Sequence, residues 1–461
     1  MAPVALDTRG DVPTFSVIDE QVVDSLAATV YEHGWQSWSP TTTYSLGERP
    51  HRPVSEHYRV IAYRGSQVAP AEAYQGEGLL VIDAGDGRTV LYAAADPCIE
   101  AASIRVATQG DRLTVLADGP VVRREGSLGI DAALTAWADE VVLAQSVPAP
   151  RLAPTFWCSW YEYWTEVTET DVIENLEAMD SLELPIDVVQ LDDGYQAGMG
   201  DWLSLSDRFE SLPALVSRIA SHGRRTGIWT APFLVGSASR VALAHPDWIV
   251  RTVDSSGADG APVNVGHNWD QHLYALDTTH PGARDYLREV FATFTDWGID
   301  FFKIDFIYAG AVDGRRHDDV SGVQAYRSGL ELIRESIGDG YLLGCGAPIL
   351  PSIGLVDAMR VSPDTDPEFE HASGDLSQPA QRSALLTGRA RQFMNKRFWL
   401  NDPDCLIVRS EVERRMKWAA HVKATQGLIG CSDRLLGLDE WGLETTRKAL
   451  AEGKARQSRI G

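Results

Sequence analysis

Cysteine is scarce in this chain of 461 residues. There are five, Cys98, Cys158, Cys345, Cys405 and Cys431, an odd number at wide spacing. No CxxC pair or Cys/His cluster occurs, so neither a disulfide framework nor a zinc site is expected, and no cofactor or metal is called for. No apolar run approaches the ~18 residues of a membrane-spanning helix. The opening Met1-Ala2-Pro3-Val4-Ala5-Leu6-Asp7 lacks a basic region followed by an apolar core, which argues against a secretory signal. Positive charge is in deficit, with 41 Lys and Arg against 65 Asp and Glu and a net charge of −24. That disfavours nucleic acid and anionic membrane surfaces as partners. No phosphate-cradling glycine loop, internal repeat or low-complexity tract is visible, and Gly85-Asp86-Gly87 reads as a turn. These absences leave a cytoplasmic protein with a neutral or cationic ligand, and an oligomer is possible.

What the chain does have is tryptophan, fourteen in all, interleaved with carboxylates. Up to residue 147 the grammar is β. The runs Leu79-Leu80-Val81-Ile82 and Thr89-Val90-Leu91-Tyr92 flank a glycine turn, a hairpin signal. An antiparallel β-sandwich is predicted for 1–147. Within it, His33-Gly34-Trp35-Gln36-Ser37-Trp38-Ser39-Pro40 places two tryptophans three apart, either as a core plug or as a binding wall. Three prolines between Pro148 and Pro154 then mark a linker.

From 148 to 461 strands alternate with amphipathic helices. Strands are predicted at Thr155–Trp160, Ile186–Asp192, Thr226–Ala231, Ile299–Asp305, Tyr341–Cys345, Val356–Val361, Arg397–Leu400 and Gly427–Cys431. Thr168 is a plausible N-cap for the helix after the first strand, and His280-Pro281-Gly282 opens another. The fold class is α/β, a (β/α)8 TIM barrel preceded by the sandwich. Residues 441–461 read as a helix with a basic tail.

In such barrels the site is built from loops at the carboxyl ends of the strands. Those ends carry Trp160, Asp192-Asp193, Trp229, Lys303-Ile304-Asp305, Gly344-Cys345-Gly346, Arg360 with Asp364, and Asn401-Asp402-Pro403-Asp404. Lys303 and Asp305 are two apart on one strand and so share a face. The lysine is expected to hold Asp305 ionised, as a carboxylate nucleophile requires. Two carboxylates in a tryptophan-lined, metal-free cup suit glycoside hydrolysis, with one attacking and the other donating a proton. Asp305 is the candidate for the first role and Asp364 for the second, with Asp366 as a rival.

Taken together, Trp157-Cys158-Ser159-Trp160, Leu191-Asp192-Asp193-Gly194-Tyr195, Gly227-Ile228-Trp229-Thr230-Ala231-Pro232, Phe302-Lys303-Ile304-Asp305-Phe306, Gly344-Cys345-Gly346, Asp357-Ala358-Met359-Arg360, Pro363-Asp364-Thr365 and Asn401-Asp402-Pro403-Asp404 resemble glycoside hydrolase family 36, the α-galactosidases of clan D. Gly34-Trp35-Gln36-Ser37-Trp38 looks like that family's N-terminal signature, and against the family's pattern a C-terminal β domain is expected to be absent or vestigial. The resemblance implies retaining hydrolysis of α-galactosides, with Asp305 as nucleophile and Asp364 as acid/base. It implies that Asp192 and Asp193 grip O4 and O6 of galactose. By the same resemblance Lys303, Cys345 and Arg360 line the O2–O4 side, while Trp160, Trp229 and Trp35 or Trp38 form aromatic walls. The partner is then an oligosaccharide or glycoside substrate. An α-N-acetylgalactosaminidase, or another α-glycosidase of the clan, is the alternative. A sugar-binding barrel without catalysis and a Schiff-base aldolase using Lys303 are readings from other classes.

Overall fold

A computed structural model describes residues 14–54, 62–64, 69–253 and 257–457. The opening Met1–Asp7 segment, from which no secretory signal was expected, and the last four residues of the basic tail lie outside them. Strands between Ser16 and Gly126 form two antiparallel sheets. One runs in the order Ser16–Val22, Arg112–Ala117, Ser103–Gln109, Tyr74–Glu77. The other runs Thr42–Ser45, Thr29–Glu32, Leu79–Asp83, Thr89–Ala94, Val121–Gly126. Val30, Leu80, Ile82, Val90 and Tyr92 face Ile104, Val106, Leu113 and Val115 of the opposite sheet. The alternate residues Tyr31, Leu79, Val81, Leu91 and Ala93 point the other way and are buried too. Burial on both faces explains why these antiparallel strands read as unbroken apolar runs.

The second face is covered by a helix, Ile130–Ala144, which the sequence reading did not anticipate inside its β segment. Its buried residues Leu134, Trp137, Ala138 and Val141 fall at i, i+3, i+4 and i+7, a single helical stripe. Trp137 lies edge-on to Phe393 and Phe398, with ring centroids 6.2 and 6.0 Å away. Trp137→Ala should therefore destabilise the protein by roughly 3–5 kcal/mol through the cavity it leaves. Chemical denaturation measures this; a loss under 1 kcal/mol would mean that the helix does not couple the sandwich to the barrel.

The barrel strands are Thr155–Cys158, Val188–Leu191, Arg225–Thr230, Ile299–Ile304, Tyr341–Gly344, Ala358–Arg360, Leu400–Asp402 and Ile429–Cys431, all parallel in their pairings. The eighth pairs with the first, and closure onto the seventh is marked by Leu428 N–H donating to Asn401 O at 2.9 Å. The seventh strand sits later than predicted. Lys396, with φ 65, bends the chain so that its N–H meets Trp399 O at 2.8 Å, and a tight turn occupies the expected strand. Thr168 does cap its helix, Glu169–Ser181, in a reciprocal capping box with Asp171. Helix Pro281–Asp296 buries Leu287, Val290 and Phe294 as its period requires. Between the third strand and that helix lies an insertion missed by the sequence reading. It is a small antiparallel sheet of Leu234–Gly236, Asn264–Asn268 and Gln271–Ala275.

The sandwich reaches the barrel through the Gly34–Pro40 segment. Ser37 N–H donates to Ala347 O at 3.0 Å, and Ala347 N–H returns to Ser37 Oγ at 3.1 Å. Beneath it lies Arg391, fully buried. Its guanidinium donates to the carbonyls of Gly34, Gln36 and Ser37, and to Val361 O of the barrel, all at 2.8–3.0 Å. Burial pushes this arginine down to about 9. With Ser39 O a longer fifth acceptor at 3.4 Å, a single buried cation thus fastens a loop of one domain to the rim of the other by satisfying five carbonyls.

Candidate active site

At the carboxyl ends of the strands lies a cavity of about 160 Å³. Asp192, Asp193, Lys303, Asp305 and Asp364 line it, between Trp38, Trp160, Trp229 and Trp269. Of the two N-terminal candidates, only Trp38 reaches it, edge-on to Phe306 and Tyr308 at 5.0 and 6.1 Å. Trp35 instead packs on Tyr63 at 4.5 Å and is absent from the cavity wall. Cys345 is wholly buried behind the wall.

The expected Lys303–Asp305 pair does not form. The fourth strand ends at Ile304, and Phe306 takes φ 51, so Asp305 has left the pleat that would align it with Lys303. The Lys303 ammonium reaches over the third strand and donates to Asp192 Oδ2 at 2.7 Å. Burial alone would lower this lysine, but the Asp192 charge outweighs it and holds it well above the ordinary ammonium range. A permanently protonated amine is a poor Schiff-base nucleophile, which weighs against an aldolase.

Asp305 is held by other donors. Trp229 Nε1 donates to Oδ2 at 3.1 Å, and Phe306 N–H to Oδ1 at 2.7 Å. Gly346 approaches so closely that a Cβ there would lie 2.8 Å from Phe306 N and 2.9 Å from Asp305 Oδ1. Its φ of +50 also favours glycine.

Asp192 is buried, and burial raises its carboxyl, but Lys303 and the Gln190 amide more than compensate and set it below the usual range. Its Oδ2 accepts Lys303, Gln190 Nε2 at 3.0 Å and Cys158 Sγ at 3.3 Å, while Oδ1 accepts Asp193 N–H at 3.0 Å. Little of its acceptor capacity remains. Asp193 differs. Burial and the neighbouring Asp192 charge push it up to about 6, against the hydrogen bonds from Gln196 and Trp269. Each of its oxygens has one side-chain donor, Gln196 Nε2 at 2.5 Å and Trp269 Nε1 at 2.8 Å.

On the opposite wall one guanidinium meets three carboxylates. Arg360, fully buried and not itself on the cavity wall, donates through Nε to Asp402 at 2.9 Å and through Nη1 to Asp364 at 3.1 Å. Its Nη2 lies 2.8 Å from Asp404. Asp404 also takes the Tyr161 hydroxyl and Thr365 N–H. The Asp364 side chain is 29% exposed, to the cavity, yet burial and the Asp404 charge push it up to about 7 against Arg360. Its rival Asp366 accepts Glu368 N–H at 3.1 Å and behaves as a turn residue off the cavity wall.

Trp269, Phe306, Tyr308 and Ser377 also line the cavity and were not foreseen. Phe306 stands beside a residue that was; the others come from loops whose position follows only from the fold. Among the described residues, no cluster of three His, Cys, Asp or Glu side chains could hold a metal, and no helix is long and apolar enough to cross a membrane.

Residues 146–327, under half of the chain, match the Glycosyl hydrolases family 31 TIM-barrel domain. A bifunctional alpha-galactosidase/sucrose kinase of Mediterraneibacter gnavus is 27% identical over 202 residues, 41% of this chain and 20% of that protein. An alpha-galactosidase of Escherichia coli is 25% identical over 210 residues, 43% of this chain and 27% of that one. The chain thus matches about a fifth to a quarter of the length of these curated relatives. Among solved structures, an alpha-galactosidase from Thermus thermophilus in complex with stachyose superposes with a TM-score of 0.78 at 29% identity. That superposition covers 94% of this chain and 92% of the other. The fold is shared with glycoside hydrolases.

Proposed function

We propose that this chain is a retaining α-galactosidase of the family 36 kind, hydrolysing terminal non-reducing α-D-galactosides in a catalytic barrel that begins at about residue 148. The supporting observation is the meeting of four carboxylates, Asp192, Asp193, Asp305 and Asp364, in one tryptophan-walled cavity. The Thermus thermophilus structure, whose ligand is stachyose, overlaps nearly the whole chain. Asp193, with Asp192 beside it, accepts hydroxyls of the galactose ring. Asp305 attacks the anomeric carbon while Asp364 gives its proton to the glycosidic oxygen, and the bond to the leaving group breaks. A β-galactosyl-aspartate results. Asp364, now a carboxylate, takes a proton from water, and the hydroxide displaces Asp305 to release α-galactose. Trp229 keeps Asp305 aimed through its indole N–H, and Arg360 keeps Asp364 in place.

The test is turnover of a nitrophenyl α-galactoside, with proton NMR of the first-formed sugar. α-Galactose appearing first is expected; β-galactose first overturns retention and the role of Asp305. Hydrolysis of α-N-acetylgalactosaminides in preference would move the reading to that alternative, and binding without turnover would leave a sugar-binding barrel. The pH profile has a predicted shape. Asp193 accepts hydroxyls fully only when ionised, so activity falls below about pH 6. Asp364 donates only when protonated, so it falls above about pH 7. A bell with its maximum between these limits is expected in kcat/KM; a flat profile from pH 5 to 9 would contradict both roles.

A further inference from the structure

The hairpin of Asn264–Asn268 and Gln271–Ala275 turns through Trp269 and Asp270, at φ 50 and 56. A two-residue turn with both central residues at positive φ normally takes Asn, Asp or Gly. A tryptophan there is costly, and such strain persists only where the surroundings over-determine it. They do here. Asn268 Oδ1 accepts Trp269 N–H at 3.0 Å, Gln271 Oε1 accepts Ala238 N–H at 2.9 Å, and Tyr308 OH donates to Val265 O at 2.8 Å. The hairpin is therefore tied both to the strand at Leu234–Gly236 and to the loop that follows Asp305. Its tip puts Trp269 Nε1 2.8 Å from Asp193 Oδ2, with the ring 5.6 Å from Phe306 and 6.5 Å from Trp229.

Resting on the function proposed above, we infer that Trp269 is a positioning residue for sugar recognition: its indole N–H fixes the Asp193 carboxylate so that its remaining acceptor capacity faces the ring hydroxyls. The donor must come from this turn. Asp192 beside it already takes Lys303, Gln190 and Cys158 on Oδ2 and Asp193 N–H on Oδ1. Among the described residues, Asp193's other side-chain donor is Gln196, three residues along the same loop. The titratable groups around Asp193 are Asp192, Lys303 through Asp192, and Tyr195, whose hydroxyl donates to Trp229 O, with His267, Asp305 and Asp364 elsewhere on the cavity wall. None of them can replace the indole. A donor to the charged carboxylate favours ionisation, so its loss raises the Asp193 midpoint.

Trp269→Phe keeps a ring against Phe306 and removes the N–H. It should lower kcat/KM on α-galactosides about tenfold, the scale of one hydrogen bond to a charged group, and move the acid limb to higher pH. In a double-mutant cycle, adding Trp269→Phe to Asp193→Asn should cost less than about threefold, because the target of the indole is already altered. Additive losses would show that Trp269 acts on the substrate directly and overturn the inference. Carbon-13 NMR of labelled aspartate carboxyls, with Asp193→Asn for assignment, reads the same contact without substrate. An Asp193 midpoint that does not rise in Trp269→Phe overturns it even if the wild type hydrolyses no α-galactoside, an outcome that would separately end the proposed function.

Discussion

Asp305→Ala is expected to abolish hydrolysis of every α-galactoside, nitrophenyl and oligosaccharide alike, by roughly 10⁴–10⁶-fold, the scale set by removing a covalent nucleophile. The fold should survive. Asp305 is 7% exposed, and its two donors, Trp229 Nε1 and Phe306 N–H, keep access to the cavity when it is removed. Truncation leaves space on the β face of the anomeric carbon. Azide entering there should attack in place of the carboxylate while Asp364 still protonates the leaving oxygen. The product is β-galactosyl azide, inverted relative to substrate. An α-azide, or no rescue by azide alongside intact folding, would assign the nucleophile elsewhere.

Much of this site could be read from sequence because strand ends in a barrel converge on one rim. Once eight strands were placed, Asp192, Asp193, Trp229, Asp305 and Asp364 had to be neighbours, and they line one cavity. Spacing along a single strand was a worse guide. It paired Lys303 with Asp305, whereas the backbone breaks at Phe306 and the lysine turns to a carboxylate two strands away. A long flexible side chain answers to the charges within reach, and sequence separation does not report those. The same holds for Arg391, whose five carbonyl partners come from residues more than 350 positions earlier and from the sixth-strand loop. Helix Ile130–Ala144 was legible in principle, since Leu134, Trp137, Ala138 and Val141 spell its buried stripe. The hairpin bearing Trp269 was not, because its turn residues break the usual turn chemistry.

Asp364→Ala should separate substrates by leaving group. With an oligosaccharide, whose leaving oxygen needs a proton, the loss should be about 10²–10⁴-fold, the ordinary contribution of general acid–base catalysis. With an activated nitrophenyl galactoside the first step should be nearly unimpaired, and Asp305 should still capture the sugar. Release then stalls, because no base remains to activate water, so an initial burst of nitrophenol is expected. Intact-protein mass spectrometry should find the galactosyl group retained on the enzyme. Azide needs no base, and should discharge that intermediate as α-galactosyl azide, with configuration kept. The basic limb near pH 7 should vanish too, since the group pushed up by its burial and by the Asp404 charge is gone. Asp366→Ala is the control. Its carboxylate holds a turn at Glu368 N–H, so neither leaving-group dependence nor the basic limb should change. If Asp366→Ala shows the burst and the α-azide while Asp364→Ala hydrolyses both substrates in the same proportion as the wild type, the acid/base role passes to Asp366. Arg360 would then be left to fix the three carboxylates Asp364, Asp402 and Asp404 for a purely structural reason.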